Sequence, residues 1–161
     1  MHWQQQAIKI FGKSVMQPRL TAAFADKGVK YGYSGISLDA QEWTPELLLI
    51  KSRAELFSAT TFNTALLNFY RNGNDSMGWH RDNEKVLGPQ PVIASVSLGA
   101  IRKFQLRTYS GKKERLTLSP ASGSLIVMNG ESQHYWEHAL PKSKSVLLPR
   151  LNITFRRVII E

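Results

Sequence analysis

Cysteine is absent from the 161 residues. That excludes a disulfide framework and any thiolate-bound metal, so a bound metal must take nitrogen and oxygen ligands. Long apolar runs are missing too, and no stretch approaches the roughly 20 residues that a membrane-spanning helix needs. The opening MHWQQQAIKIF lacks the basic-then-apolar order of a secretory signal. These absences lead us to expect a soluble, cytoplasmic chain with no membrane partner. Acidic residues are scarce, 12 against 21 lysines and arginines, which leaves a net charge of +9 and a pI near 10.0. A positive field of that size favours a polyanionic partner, nucleic acid first.

A hydrophobic content of 42% is enough to fill one core, and neither a repeat nor a low-complexity linker interrupts the chain. One domain over residues 1–161 is expected, and a monomer. Six segments alternate in polarity or are rich in β-branched residues: 8–11, 62–70, 92–98, 103–109, 124–129 and 151–160. One helix stands out. Thr44 supplies a capping hydroxyl, Pro45 suits the first helical position and Glu46 puts an acid in the first turn. Leu47, Ile50, Ala54 and Phe57 are expected to form its apolar face. Short strands at this spacing leave no room for repeated crossover helices. The expected fold is mainly β, a jelly roll of two antiparallel sheets with a covering helix.

The stretch Gly78-Trp79-His80-Arg81-Asp82 contains a histidine and an aspartate two residues apart, which share a face if the backbone is extended. With a second histidine, either His134 or His138, they would make a two-histidine, one-carboxylate facial triad. Such a triad leaves coordination positions open for chemistry, whereas a structural zinc site is closed by four protein ligands. A His-X-Asp step alone is common by chance, so it needs support from elsewhere in the chain.

That support lies in Arg150-Leu151-Asn152-Ile153-Thr154-Phe155-Arg156, where polar and apolar residues alternate at period two. If the apolar set faces a hydrophobic layer, the other face carries two guanidiniums roughly 20 Å apart at their Cα atoms. Two buried arginines suit a ligand with two carboxylates, such as 2-oxoglutarate. Asn68 and Tyr70, also two apart on an expected strand, add hydrogen-bonding groups to the same side.

With Tyr31-Gly32-Tyr33-Ser34-Gly35, Leu67-Asn68-Phe69-Tyr70, the segment 91–97 and His138-Ala139-Leu140-Pro141, these motifs occur in the order seen in the AlkB family. The chain resembles that family from Phe11 to Arg156, most closely its duplex-DNA repair branch. The resemblance implies an iron(II)- and 2-oxoglutarate-dependent dioxygenase that uses dioxygen to remove N-methyl groups from alkylated DNA. Its expected substrates are 1-methyladenine and 3-methylcytosine in a duplex, with formaldehyde and succinate as products. It implies His80, Asp82 and His138 as iron ligands, with His134 a bystander near the mouth. It implies Asn68, Tyr70, Arg150, Asn152, Thr154 and Arg156 as the 2-oxoglutarate site. Residues of about 1–40 would carry the nucleotide lid and wedge. Tyr31, Tyr33, Ser34, Asn83 and Glu84 would read the flipped base. Phe11, Gly12 and Lys13 would form the wedge, and Arg19, Lys142 and Lys144 would contact phosphates.

Three departures from the family pattern bear on these expectations. Asn83 puts a neutral amide where relatives often carry a carboxylate, which weakens attraction for a cationic methylated base and leaves Glu84 to compensate. The chain also opens almost at the wedge, and Ala22-Ala23-Phe24-Ala25 replaces a more aromatic stretch, so stability or solubility is expected to suffer. The residues leave other readings open: the same oxygenase acting on RNA or another methylated substrate, a non-catalytic nucleic-acid-binding barrel, or a zinc hydrolase. The last has no need of two arginines on the final strand.

Overall fold

The computed structural model describes residues 1–10, 12–29, 32–33, 36–37 and 39–159. Two hairpins flank a third strand near the start of the chain. β1 (Ala7–Ile10) pairs with β2 (Lys13–Met16), β3 (Leu20–Ala25) joins a larger sheet, and β4 (Gly32–Tyr33) pairs with β5 (Ile36–Ser37). The helix α1 (Pro45–Ser58) precedes β6 (Thr64–Tyr70), β7 (Met77–His80), β8 (Ile93–Gly99), β9 (Phe104–Thr108) and β10 (Arg115–Leu118). The chain continues through β11 (Ser124–Met128), a one-turn helix α2 (Ser132–Tyr135), β12 (Trp136–Leu140) and β13 (Arg150–Arg156). No described helix is long and apolar enough to cross a membrane.

Two antiparallel sheets form the jelly roll. The major sheet has the order β11-β8-β13-β6-β3 and the minor sheet β10-β9-β12-β7. Each of the six expected strand segments overlaps a described strand, with residues 11 and 160 lying outside the described residues. β2, β3, β4, β5, β7, β10 and β12 are additional, and β3 brings part of the 1–40 region into the barrel as an edge strand of the major sheet.

The period-two alternation of β13 sorts its side chains to opposite sides of the major sheet. Ile153 and Phe155, with Leu151 alongside, pack under α1 in a cluster that includes Phe24, Leu47, Ala54, Phe62 and Leu67. On the other side, between the sheets, a second cluster of Leu66, Ile93, Phe104 and Met128 fills part of the barrel. Polar side chains of the same strands occupy the remainder. The alanines of β3 divide between the clusters, Ala22 under the helix and Ala23 and Ala25 inside the barrel.

The N-terminus of α1 is built as its sequence indicates: Thr44 Oγ1 accepts from the Leu47 N–H at 3.3 Å, and Pro45 begins the helix. Leu47 and Ala54 are buried and Ile50 packs beside them. Phe57 departs from expectation and is 75% exposed. The helix closes at Ala59, whose left-handed φ of 50° turns the chain back toward the sheet. Phe62 fills the space instead, its ring stacked 5.9 Å from that of Phe155.

The loop between β12 and β13 sets where Arg150 begins, and Gly73 anchors it. The Gly73 N–H donates to Val146 O at 2.7 Å, and the Ser143 N–H donates to Gly73 O at 2.8 Å. A Cβ on Gly73 would stand 1.8 Å from Ser143 O, closer than any packing tolerates. Arg102, 2% exposed, ties the same region together by donating to the carbonyls of Asn72, Asp75 and Pro141. Gly73→Ala is therefore expected to lower unfolding free energy by about 1–3 kcal/mol in chemical denaturation. Gly78→Ala, where a Cβ meets nothing within 4 Å, is expected to leave stability equal or higher.

Candidate active site

The polar end of the barrel holds a pocket lined by both sheets. His80 closes β7 and His138 lies directly opposite it on β12, so strand register alone brings the imidazoles together, with ring centroids 4.1 Å apart. Asp82 follows just past the end of β7. Ligand atoms of His80, Asp82 and His138 all lie within 4.8 Å of one another, a span that fits a single metal ion. His134 stands outside this cluster. It is exposed on α2, with its imidazole against the carbonyl of Pro89.

Local hydrogen bonds orient the three groups. His80 Nδ1 lies 2.8 Å from Gly78 O, the position of an Nδ1–H donor, which leaves the Nε2 lone pair for a metal. Asp82 Oδ2 accepts from Arg156 Nη2 at 2.7 Å and from Nε at 3.2 Å, and both side chains are buried. Burial favours a protonated Asp82, yet the guanidinium of Arg156 and the two imidazoles outweigh it and hold the pKa at about 2. Burial, with His80 beside it, pushes His138 down to about 3. Burial lowers His80 as well. The cluster at neutral pH is therefore two neutral imidazoles and one carboxylate, the protonation states that ligate a divalent metal.

The inward face of β13 builds the opposite wall. Arg150 is 3% exposed, its Nη2 donates to Ser97 Oγ at 2.8 Å, and its guanidinium sits 5.5 Å from the Tyr70 ring centroid. Its buried Nε has no hydrogen-bond partner, and no carboxylate pairs with it, among the described residues. A desolvated cation left in this state is a seat for an anion. Between the two arginines runs a hydrogen-bonded floor. Asn68 Oδ1 accepts from Arg19 Nε at 2.6 Å, Asn68 Nδ2 donates to Asn152 Oδ1 at 3.4 Å, and Asn152 Nδ2 donates to Ser95 Oγ at 2.8 Å. Thr154 Oγ1 donates to the same Asn152 oxygen at 2.9 Å. Register explains the floor, because Asn152 stands directly across from Asn68 on β6 and from Ser97 on β8.

All six residues expected at the 2-oxoglutarate site line this one pocket together with the His-Asp-His cluster. Glu84 lines it too, half-buried, while Asn83 beside it is exposed. Lys142 and Lys144 are exposed on the loop before Arg150. Gly12 forms the turn of the β1–β2 hairpin, with φ of 77°. Phe11, Tyr31 and Ser34 lie outside the described residues, and only the strand positions of Lys13 and Tyr33 are described.

Arg19 requires a correction. Expected on phosphates, it is 2% exposed and bound to Asn68 inside the pocket, because it immediately precedes β3, which pairs with β6, the strand that carries Asn68. Ser95, Ser97 and Gln133 also belong to the site, without an assigned role in the sequence reading. For the two serines a signal existed in their period-two spacing on an expected strand; for Gln133 there was none.

These pKa directions set an acid dependence. Unfolded histidine takes up a proton as pH falls below about 6.5, whereas folded His138 resists until about 3, and unfolded Asp82 protonates before the folded group does. The unfolded chain binds more protons throughout, so stability falls with pH. The metal-free protein is expected to lose urea resistance progressively below pH 6.5, and His138→Gln to make that decline shallower between pH 6 and 4.

Comparison with known proteins agrees with the geometry. The chain is 40% identical over 159 residues to the DNA oxidative demethylase ALKBH2 of Bos taurus, covering 94% of this chain and 57% of that protein. It is 41% identical to the Mus musculus ALKBH2, over 94% of this chain and 66% of that one. It is also 41% identical to the alpha-ketoglutarate-dependent dioxygenase alkB homolog 3 of Mus musculus, over 88% of this chain and 52% of that one. The chain thus spans between half and two thirds of the length of these relatives. The solved structure of OsALKBH1 superposes on 96% of this chain and 84% of its own with a TM-score of 0.63 at 17% identity, which shows a shared fold. The family model of the 2OG-Fe(II) oxygenase superfamily matches residues 1–156, and the chain belongs to that superfamily.

Proposed function

We propose that this chain is an iron(II)- and 2-oxoglutarate-dependent dioxygenase that oxidatively demethylates alkylated DNA, with 1-methyladenine and 3-methylcytosine in a duplex as its substrates. One observation carries the reading: a single pocket combines the His80, Asp82, His138 cluster with a buried Arg150 that has no carboxylate partner among the described residues. The relatives named as DNA oxidative demethylases support the choice of substrate class.

His80, Asp82 and His138 would hold iron on one face, leaving positions for a bidentate cosubstrate and dioxygen. With those bound, the centre supplies oxidation of an N-methyl carbon, which ends in formaldehyde, the restored base, succinate and carbon dioxide. Arg150 and the Tyr70 ring beside it would grip a 2-oxoglutarate carboxylate, in the water-poor setting where a charge-assisted bond is strongest. Asn68, Asn152 and Thr154 arrive already hydrogen-bonded to one another, so they present fixed dipoles that need no rearrangement on binding. Arg156 directs two N–H groups to Asp82 while lining the same wall, so it serves the metal ligand as well as the cosubstrate.

Substrate contacts follow from the same reading. Glu84 puts a carboxylate in the pocket wall, which suits the positive charge of a ring-methylated base, and Asn83, exposed beside it, would accept from an exocyclic amine. Tyr31, Tyr33 and Ser34 would stack on and read the extruded base, while Phe11, Gly12 and Lys13 fill the gap it leaves. Lys142 and Lys144, exposed on a loop held by Gly73, would make phosphate contacts that position without reading sequence. Arg19 acts instead within the pocket, on Asn68.

The test is formaldehyde release from a duplex carrying one 1-methyladenine, supplied with iron(II) and 2-oxoglutarate. The wild type is expected to release formaldehyde only with both present, and Asp82→Ala to fall to background. Turnover of 2-oxoglutarate without formaldehyde would move the assignment to another substrate, and no turnover at all would end the enzyme reading.

A further inference from the structure

Asp82 lies two residues beyond His80, where the pairing of β7 has ended. Its backbone N–H is therefore in a buried place without a strand carbonyl to receive it. The acceptor is a side chain: Gln133 Oε1, at 2.8 Å. Gln133 is 1% exposed, and its amide nitrogen faces Met128 Sδ at 3.6 Å and Ser132 Oγ at 3.4 Å, so the carboxamide is held at both ends. The neighbouring residue is tied to the same turn, since Arg81 Nη1 donates to His134 O at 3.5 Å. The turn α2 thus grips the chain at residues 81 and 82, then runs directly into β12, which carries His138.

We infer that Gln133 is a positioning residue of the metal centre: by accepting the Asp82 N–H, its carbonyl oxygen fixes the carboxylate ligand relative to His80 and His138. The inference rests on the reading that these three side chains hold iron. Physically, a buried N–H without an acceptor carries the full cost of its desolvation. If Gln133 cannot accept, the 81–84 segment gains by rotating that N–H toward water, and the Asp82 carboxylate turns with its backbone. Arg156 cannot prevent this alone, because it holds the carboxylate at one oxygen and leaves the main chain unconstrained. Groups that orient metal ligands in this way contribute about 10–100-fold to affinity.

Manganese(II), which does not turn over, is a suitable probe. Its dissociation constant is measured by titration calorimetry on the metal-free protein, without 2-oxoglutarate, for the wild type, Gln133→Met and Ser132→Ala. Methionine keeps the volume but offers Asp82 no comparable acceptor, while Ser132→Ala disturbs the other end of the carboxamide and spares the acceptor. The expected result is roughly 10-fold weaker binding for Gln133→Met and unchanged binding for Ser132→Ala. The Asp82 amide is expected to be protected from hydrogen exchange in the metal-free wild type, and to lose that protection in Gln133→Met. Affinity within about twofold of wild type in a folded Gln133→Met would overturn the inference. An unprotected Asp82 amide in the wild type would overturn it too, whether or not the variant folds. Failure of the wild type to bind manganese would overturn the metal reading itself, an outcome separate from the other two.

Discussion

A guanidinium removed from water must find an anion, and β13 places two of them inside one barrel. Arg156 finds Asp82, and the resulting buried pair joins the last strand of the major sheet to the segment after β7 of the minor sheet. That pair also keeps Asp82 ionised against its burial. Arg150, six residues earlier on the same face, has a serine hydroxyl and an aromatic ring but no carboxylate among the described residues. The fold tolerates this because the cost falls at a site where a ligand can repay it. Such a buried charge suits the proposed role of Arg150 in binding a carboxylate.

The rest of the architecture keeps that wall rigid. One face of the major sheet is anchored by aromatic and aliphatic packing under α1, which leaves the other free to be polar without loss of a core. The polar groups are satisfied mainly by each other, through the Arg19, Asn68, Asn152, Ser95 and Thr154 network. A network satisfied before ligand arrives costs little to hold and little to use. Around the Arg150 end, Gly73 and Arg102 lock the incoming loop to the 72–75 segment through backbone carbonyls. The metal side is held with equal economy, because a single register pairing aligns His80 with His138.

Much of this was legible from residues alone. The alternation over 150–156 assigned both faces of β13, and Thr44-Pro45-Glu46 marked the start of α1, because both signals are local and repeat at the period of their element. His80 and Asp82 were visible as a pair. The choice between His134 and His138 was not, because it depends on which histidine the register of β12 sets opposite His80. β3 escaped notice because alanines carry little strand preference, and β7, β10 and β12 because four or five residues hold too short a pattern. Phe57 was assigned inward by helical spacing, and lost that place to Phe62, which a left-handed cap brings back to the sheet. Arg19 and Gln133 belong to the site through contacts across 49 and 51 residues of sequence, a distance at which composition carries no signal.

The central proposal is that Arg150 binds a carboxylate of 2-oxoglutarate and is not a structural arginine. It is tested by measuring the 2-oxoglutarate dissociation constant of Arg150→Met in the presence of manganese(II), alongside its ligand-free stability. The account requires affinity to fall by at least about 30-fold, equivalent to about 2 kcal/mol, while the ligand-free protein becomes no less stable, since an uncompensated buried charge has been removed. Unchanged affinity with a marked loss of stability would contradict it and make Arg150 a part of the scaffold.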